Sequence, residues 1–419
     1  MKTRRAFLKN TGLAMFGIGL GGVPGFVVKA AESFKQQNLY KKNKILICIF
    51  QRGAMDGLMA VTPFTDQFLK AARPNLFIEA GNNNSLIDLD GRFGLHPSLN
   101  AFKKLFDEKR LAIVHGIGSP NNTRSHFDAQ DYMESGTPFS KSTSSGWLNR
   151  AVGLMGHDAT PFRAVSLTAT LPRSFYGNNE AIAMSSIKSF ALQSNNVSST
   201  SINVGKSLEE MYDETSTNII NATAKESFEA IKILKNAKIE NYQPENGAVY
   251  PNSDLGKSLN QIAQLIKMNV GLEVAFAEHG GWDTHFNQGK ETGIFARNAE
   301  DLSNSIFALW TDLEKFQDDV VIMTMTEFGR TVKQNGTGGT DHGRASCNFI
   351  IGNKISGGRV FGNIQPLAVE NLEDGRDLAV TTDFRNVFSE VATKHLNIIN
   401  HQALFPSFEE KYLNITKKV

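Results

Sequence analysis

Val320 to Gly343 reads VVIMTMTEFGRTVKQNGTGGTDHG, and this stretch decides the fold. Val320–Thr326 is a run of β-branched and apolar residues, the pattern of a strand buried on both faces. It ends on Glu327, followed by Gly329 and Arg330, so polar chemistry begins where the strand stops. A glycine-rich loop (Gly336, Gly338, Gly339) then delivers Asp341 and His342 just before a second apolar run, Asn348–Ile351. Carboxylate and imidazole side by side suit a divalent cation, and such ligands collect at the C-terminal ends of strands in an open α/β sheet. Taken alone, the pair is equally suited to capping a turn.

The same arrangement recurs along the chain. Lys44–Phe50 (KILICIF) is an apolar strand followed by Arg52, Gly53 and Asp56-Gly57. Leu111–Val114 ends in His115-Gly116, and Arg124-Ser125-His126-Phe127-Asp128 follows a short loop. Gly271–Ala277 runs into Glu278-His279 and then Trp282-Asp283-Thr284-His285. Segments of helical period lie between these strands, marked by Leu99, Phe102, Leu105 and Phe106, by Leu259, Ile262, Leu265 and Ile266, and by Leu302, Ile306, Leu309, Leu313 and Phe316. Alternating strands and helices predict an α/β fold with a mostly parallel sheet sandwiched by helices, its strand ends converging on one edge.

Residues 1–30 belong to a different argument. Thr3-Arg4-Arg5-Ala6-Phe7-Leu8-Lys9 is a twin-arginine pattern, followed by a weakly apolar, glycine-rich stretch and a Val28-Lys29-Ala30 end suited to signal peptidase. They are expected to be a signal peptide, leaving residues 31–419 as one domain without a stable membrane span, in the periplasm or secreted. Without the five cations of residues 1–30 the formal charge falls from +2 to −3, which argues against nucleic acid as a partner. Two cysteines, Cys48 and Cys347, make no disulfide framework, and sequence leaves open whether they bridge. About 390 residues exceed one ordinary core, so a helical and loop insertion is expected at about 140–250, where two serine-rich stretches, Ser140–Ser145 and Ser194–Ser201, precede a charged helical segment, Ser207–Lys238.

An ordered set of motifs spans the chain: Arg52-Gly-x-x-Asp56-Gly57, Leu95-His96-Pro97, Arg124-Ser125-His126-Phe127-Asp128-Ala129-Gln130-Asp131, Trp282-Asp283-Thr284-His285, Thr326-Glu327-Phe328-Gly329-Arg330 and Gly339-Thr340-Asp341-His342-Gly343. It resembles the twin-arginine-exported bacterial proteins grouped as domain of unknown function 1501, a family similar to the alkaline phosphatase and sulfatase superfamily. The resemblance implies an alkaline-phosphatase-like fold. It also implies that Asp56 is the first metal-binding aspartate, that Ser125 stands where the superfamily keeps its nucleophile or metal-bound hydroxyl, and that Asp341 and His342 are a ligand pair. Asp283 and His285 resemble the superfamily's Asp-x-x-x-His pair at a shorter spacing. The late isolated histidine of the second metal site has no match, His395 and His401 lying in a helix and its trailing loop. A single-metal site, a differently built two-metal site using His126 or Glu327, and a site that binds without catalysing all remain open. The sulfatase Cys-x-Pro-x-Arg signature is absent, which argues against a formylglycine mechanism.

Taken with these residue types, the resemblance implies a divalent metal (zinc, manganese, magnesium or calcium) held by Asp56, Asp283, His285, Asp341 and His342, with His126 and Glu327 as further candidates. Ser125 is the candidate nucleophile, and equally a helix cap with Asp128 three residues on. Arg52 and Arg124 are candidate clamps for substrate oxygens, whereas Arg330 better fits a structural ion pair. His96 and His115 read as packing or turn residues, and Glu278 and His279 as groups behind the ligands. The expected function is an exported metal-dependent hydrolase of phosphate or sulfate esters, acting on a small molecule or glycan and delivered by the twin-arginine machinery. The alternative is a non-catalytic exported binding or assembly protein on the same fold, and a mutase or transferase ranks third.

Overall fold

Every residue of Ile45–Gln51 is buried, a condition met by a strand covered on both faces. The computed structural model describes residues 43–417 except 82–84, 158–159 and 193–241. The strands are β1 (Ile45–Gln51), β2 (Val61–Pro63), β3 (Ile87–Asp88), β4 (Phe93–Leu95), β5 (Leu111–Gly118), β6 (Ala164–Ser166), β7 (Ile182–Ala183), β8 (Val274–His279), β9 (Val320–Met325), β10 (Ser346–Ile351), β11 (Arg359–Phe361) and β12 (Thr382–Asp383). The helices are α1 (Gly57–Ala60), α2 (Gln67–Ala72), α3 (Asn100–Asp107), α4 (His126–Ser135), α5 (Trp147–Leu154), α6 (Ile187–Leu192), α7 (Asp254–Lys267), α8 (Ile294–Asp312), α9 (Phe384–Leu396) and α10 (His401–Leu404).

Nine strands form the main sheet in the order β11-β5-β10-β9-β1-β8-β6-β7, with β12 also on β5. β10 runs antiparallel to β5 and β9, and the other pairings are parallel. A small antiparallel sheet, β2-β4-β3, stands apart from it. Strand alternation sorts the core into two layers. Ile45, Ile47 and Ile49 pack with apolar residues of α3, α7 and α8 on one face, and Leu46, Cys48 and Phe50 with those of α5 and α9 on the other. Cys48 and Cys347 are free and buried, and burial pushes both thiols well up from their usual range. The fold is therefore the helix-covered, mostly parallel α/β sheet that the periodicity predicts.

The region expected as an insertion is in part integral to that sheet. Its segments Ala164–Ser166 and Ile182–Ala183 add β6 and β7 beyond β8, and Trp147 and Leu148 of α5 lie in the core. The helical stretch expected at Ser207–Lys238 and the signal expected at residues 1–30 lie outside the described residues. Where description resumes, Asp312 of α8 receives the hydroxyls of Tyr242 and Tyr250, the Glu245 amide and the Lys267 ammonium, anchoring the chain before α7. Among the described residues no helix is long and apolar enough to cross a membrane.

Three buried histidines tie layers together as neutral rings. His96, His115 and His395 place Nε2 at 2.9 Å from the carbonyls of Lys290, Val61 and Ile45 respectively. A carbonyl only accepts, so each Nε2 carries the proton, and Nδ1 of His96 and of His115 accepts a backbone N–H from Ser98 and Gly116. Burial lowers all three to about 4. The unfolded chain, with histidines near 6.5, binds more protons than the folded one between those values, so stability falls as pH drops from about 6.5 to 4. His395→Gln should flatten that slope by about 1.4 kcal/mol per pH unit within the window. Urea unfolding at a series of pH values measures it, and an unchanged slope contradicts the assignment.

Candidate functional site

The C-terminal edge of the sheet gathers side chains from three connections. His126 opens α4 after β5, Asp283 and His285 follow β8, and Asp341 and His342 lie between β9 and β10. Close backbone approach makes this possible at two glycines. Gly53 has φ +112°, and a Cβ there would stand 2.5 Å from the Asp283 amide nitrogen; one at Gly339 would stand 2.3 and 2.4 Å from the carbonyl oxygens of Thr284 and His285. No larger residue lets these loops meet.

Three imidazoles and one carboxylate converge. Nε2 of His342 lies 2.9 Å from Nε2 of His126 and 2.9 Å from Nε2 of His285. Asp283 Oδ1 lies 3.5, 3.2 and 3.4 Å from Nε2 of His126, His285 and His342. The donor atoms of His126, Asp283 and His342 all fall within 4.8 Å of one another, and His285 joins them through His342 and Asp283. The Asp283 side chain is 47% exposed, so one side of the group faces solvent. Phe127 and Phe286, next in sequence to two of the histidines, are exposed as well. Phe328 is buried against the rings of His126 and His342.

The second nitrogen of each ring is fixed by a partner. His126 Nδ1 donates to Glu327 Oε1 at 2.8 Å, His285 Nδ1 to Asp341 Oδ1 at 2.9 Å, and His342 Nδ1 to the Arg124 carbonyl at 2.8 Å. Burial pushes the Glu327 carboxyl up, but hydrogen bonds from His126, Gln130 and Gly53 outweigh it and hold it below the usual carboxylate range. Asp341 is held low by its bonds from Asn335 and His285. Two carboxylates and a carbonyl thus keep the proton on Nδ1, and in the neutral rings the Nε2 lone pairs of His126 and His285 each face that of His342. Bare lone pairs 2.9 Å apart repel, which a shared proton or a cation relieves. Between His126 and His342, His126 is the readier to take that proton, its hydrogen bond to Glu327 raising it, whereas burial and the His126 charge lower His342.

These donors fit a divalent cation. Ligand atoms about 2.0–2.2 Å from one tetrahedral ion stand about 3.3–3.6 Å apart, close to the spacing around Asp283 Oδ1 and wider than the 2.9 Å between the ring nitrogens, which would part by a few tenths of an ångström to take an ion. An anchored second nitrogen is the usual support of a metal-ligating histidine.

The structure places the other candidates elsewhere. Asp56, expected as the first metal-binding aspartate, is not in the group. Its carboxylate is buried, paired with Arg73 at 2.8 Å, bonded to the Gln288 amide at 2.8 Å, and capping α1 through the Met59 N–H. Gln288 Oε1 in turn accepts from Thr284 and Thr340, so Asp56 supports the loops from behind. Glu327 and Asp341, considered as ligands, bond the far nitrogens of His126 and His285 instead. The guanidinium groups expected as clamps are taken: Arg52 by Glu134 and Glu278, Arg124 by Asp374 and Asp377. Ser125 is exposed at the start of α4, beside His126, and makes no side-chain cap bond, so the capping-box alternative is not realised. Arg73, Gln130 and Gln288 went unassigned in the sequence because nothing local distinguishes a buried Arg or Gln that reaches across the fold.

Asp56→Ala leaves the Arg73 guanidinium buried and unpaired, and is expected to cost about 3–5 kcal/mol of stability. Metal bound per folded molecule should stay the same. Chemical denaturation and metal analysis on the folded fraction check both, and loss of metal without loss of stability would return Asp56 to the ligand set.

Among known proteins, the family model described as "Protein of unknown function (DUF1501)" matches residues 43–418. Comparison with curated proteins finds no match. Among solved structures, a sulfatase, PsFucS1 from Pseudoalteromonas sp., is similar at 12% identity and TM-score 0.37, over 94% of this chain and 76% of that one. A second, Ps i-CgsB in complex with k-i-k-neocarrahexaose, is similar at 8% identity and TM-score 0.38, over 85% of this chain and 72% of that one.

Proposed function

We propose, from the premise that this chain belongs to the DUF1501 family over residues 43–418, that it is an exported metal-dependent hydrolase of phosphate or sulfate esters. The observation that carries the reading is the convergence of three Nε2 lone pairs and the Asp283 carboxylate, each ring locked from behind. His126, Asp283, His285 and His342 would hold the metal, and an imidazole-rich set of this kind favours zinc or another transition ion over magnesium or calcium. Bound there, a divalent ion supplies Lewis acidity toward an ester oxygen. The protein's own groups do the rest. Arg330 and the histidines keep Asp283 ionised against the cost of its partial burial. Glu327, Asp341 and the Arg124 carbonyl hold the rings in the receiving tautomer. The Ser125 hydroxyl, released from capping and next to His126, is the nucleophile this reading assigns.

A second reading, metal binding without catalysis, has its own support. With His285 joining His126, Asp283 and His342, protein donors alone could complete a four-ligand shell, the condition of a structural site, and the Arg52 and Arg124 guanidinium groups are already paired with carboxylates. Metal analysis after dialysis, followed by a screen of aryl phosphate and aryl sulfate esters, tests both. His342→Ala should lose metal and activity together, Glu327→Gln should weaken metal binding by about 10–100-fold, and Ser125→Ala should lose activity while keeping metal. A metal-replete protein inert toward every ester tested leaves the second reading. No retained metal sinks both.

The export half rests on Arg4 and Arg5 in the N-terminal pattern. Replacing both by lysine should hold the protein in the cytoplasm, because the twin-arginine receptor reads the pair as an address. Cell fractionation of the double variant decides it, and undiminished periplasmic delivery rejects the assignment.

A further inference from the structure

At the opposite edge of the sheet from the histidines, where β1 and β9 begin, a cavity of about 570 Å³ lies between the start of β1, the loop after β10, the end of α9 and the last described residues. Lys44, Lys354, Lys394 and Lys417 line it against a single carboxylate, Glu390. That carboxylate is buried and already committed. It accepts the backbone N–H groups of Leu413, Asn414 and Thr416 at 2.8, 3.0 and 2.8 Å, which folds the C-terminal segment over α9.

The lysines are poorly compensated. Among the described residues only Lys44 has a carboxylate partner, Asp319. Lys417 donates to the Asn353 carbonyl, Lys394 stands 5.4 Å from the centre of the Tyr412 ring, and the Lys354 ammonium has no partner among the described residues. Helix chemistry explains one of the four, since Lys394 sits in the last turn of α9, where a cation offsets the exposed carbonyls. It does not explain why Lys44, Lys354 and Lys417, from three other segments, meet around the same space. The field is felt inside the fold: buried His395 is kept neutral chiefly by burial, with Lys44 and Lys354 adding to the effect. Like charges held around a concave, low-dielectric wall repel each other and concentrate counter-ions, and the volume lies within the range of small-ligand sites.

We propose that this cavity binds a compact oxyanion of two or more negative charges, a diphosphate group being the type. Ammonium groups act as point charges for such oxygens, and the ligand restores the balance that Glu390 alone does not supply. The site is separate from the His/Asp centre and does not depend on what that centre does.

Inorganic pyrophosphate is the probe, titrated calorimetrically into the full chain with sodium chloride at matched ionic strength as the control. Because pyrophosphate also seeks metals, two variants are compared. Lys354→Ala/Lys394→Ala, changing two exposed side chains, should weaken binding by at least about tenfold, the scale of losing two charge-assisted contacts, and leave metal content intact. His342→Ala should bind pyrophosphate as the unaltered protein does. Binding that survives loss of the two lysines, binding that disappears with His342, or no heat beyond the sodium chloride control would each overturn the proposal.

Discussion

Arg330 is the tie on which the arrangement at the sheet edge depends. Its guanidinium, wholly out of solvent, donates to the carbonyls of Gly53 and Ala54 after β1, Trp282 after β8 and Thr340 between β9 and β10, and to the Asp283 carboxylate. Three connections that are far apart in sequence therefore share one planar cation. Carbonyl oxygens that would otherwise lie buried and unpaired are satisfied together, and the remaining charge is met by a candidate ligand. Lysine, with three donors on one nitrogen, cannot span the same set. Without that tie the group would lose the relative placement of Asp283 and the Asp341-His342 loop, even with every ligand residue still present.

The charge ordering around the histidines follows the same economy. Each ring has a fixed acceptor behind it and a shared focus in front, so the proton is held on the side where it cannot compete with a cation. Gln130 extends the order outward, linking Glu327 to the Arg52, Glu134 and Glu278 network. Glu327 is the most buried carboxylate of the set and remains ionised because its oxygens accept from Gly53, His126 and Gln130 at once. Burial by itself would have neutralised it.

Much of the fold was legible in the sequence because period and burial are local signals. The runs at Lys44–Phe50, Gly271–Ala277 and Val320–Thr326 became β1, β8 and β9 within a few residues, and the apolar stripes at Leu259–Ile266 and Leu302–Leu313 became α7 and α8. The site was legible less evenly. Asp283, His285 and His342 follow strands and do come together, and so does His126. Asp56 also follows a strand, yet one contact with Arg73 removes it, and no sequence pattern announces that an arginine seventeen positions on will fold back onto it. The roles of Glu327 and Asp341 show the same limit: residue type tells that a carboxylate is near a candidate ligand, but only geometry tells whether its oxygen faces the focus or the far nitrogen of a ring. The strands β6 and β7 escaped notice because two or three residues carry too little periodicity to stand out.

The reversed direction of β10 has a consequence for how this protein can change. Connections from parallel strands must leave the edge, build a helix and return from the other side, so a residue added there disturbs a crossover. The connection from β9 to β10 instead starts and finishes at the same edge, since its two strands are antiparallel neighbours. Between Arg330 and Gly339, which fix its two ends, this connection can change length without rethreading the sheet, and it leads directly into Asp341 and His342. That hairpin is the place where the approach to Asp341 and His342 can vary while the architecture stays the same.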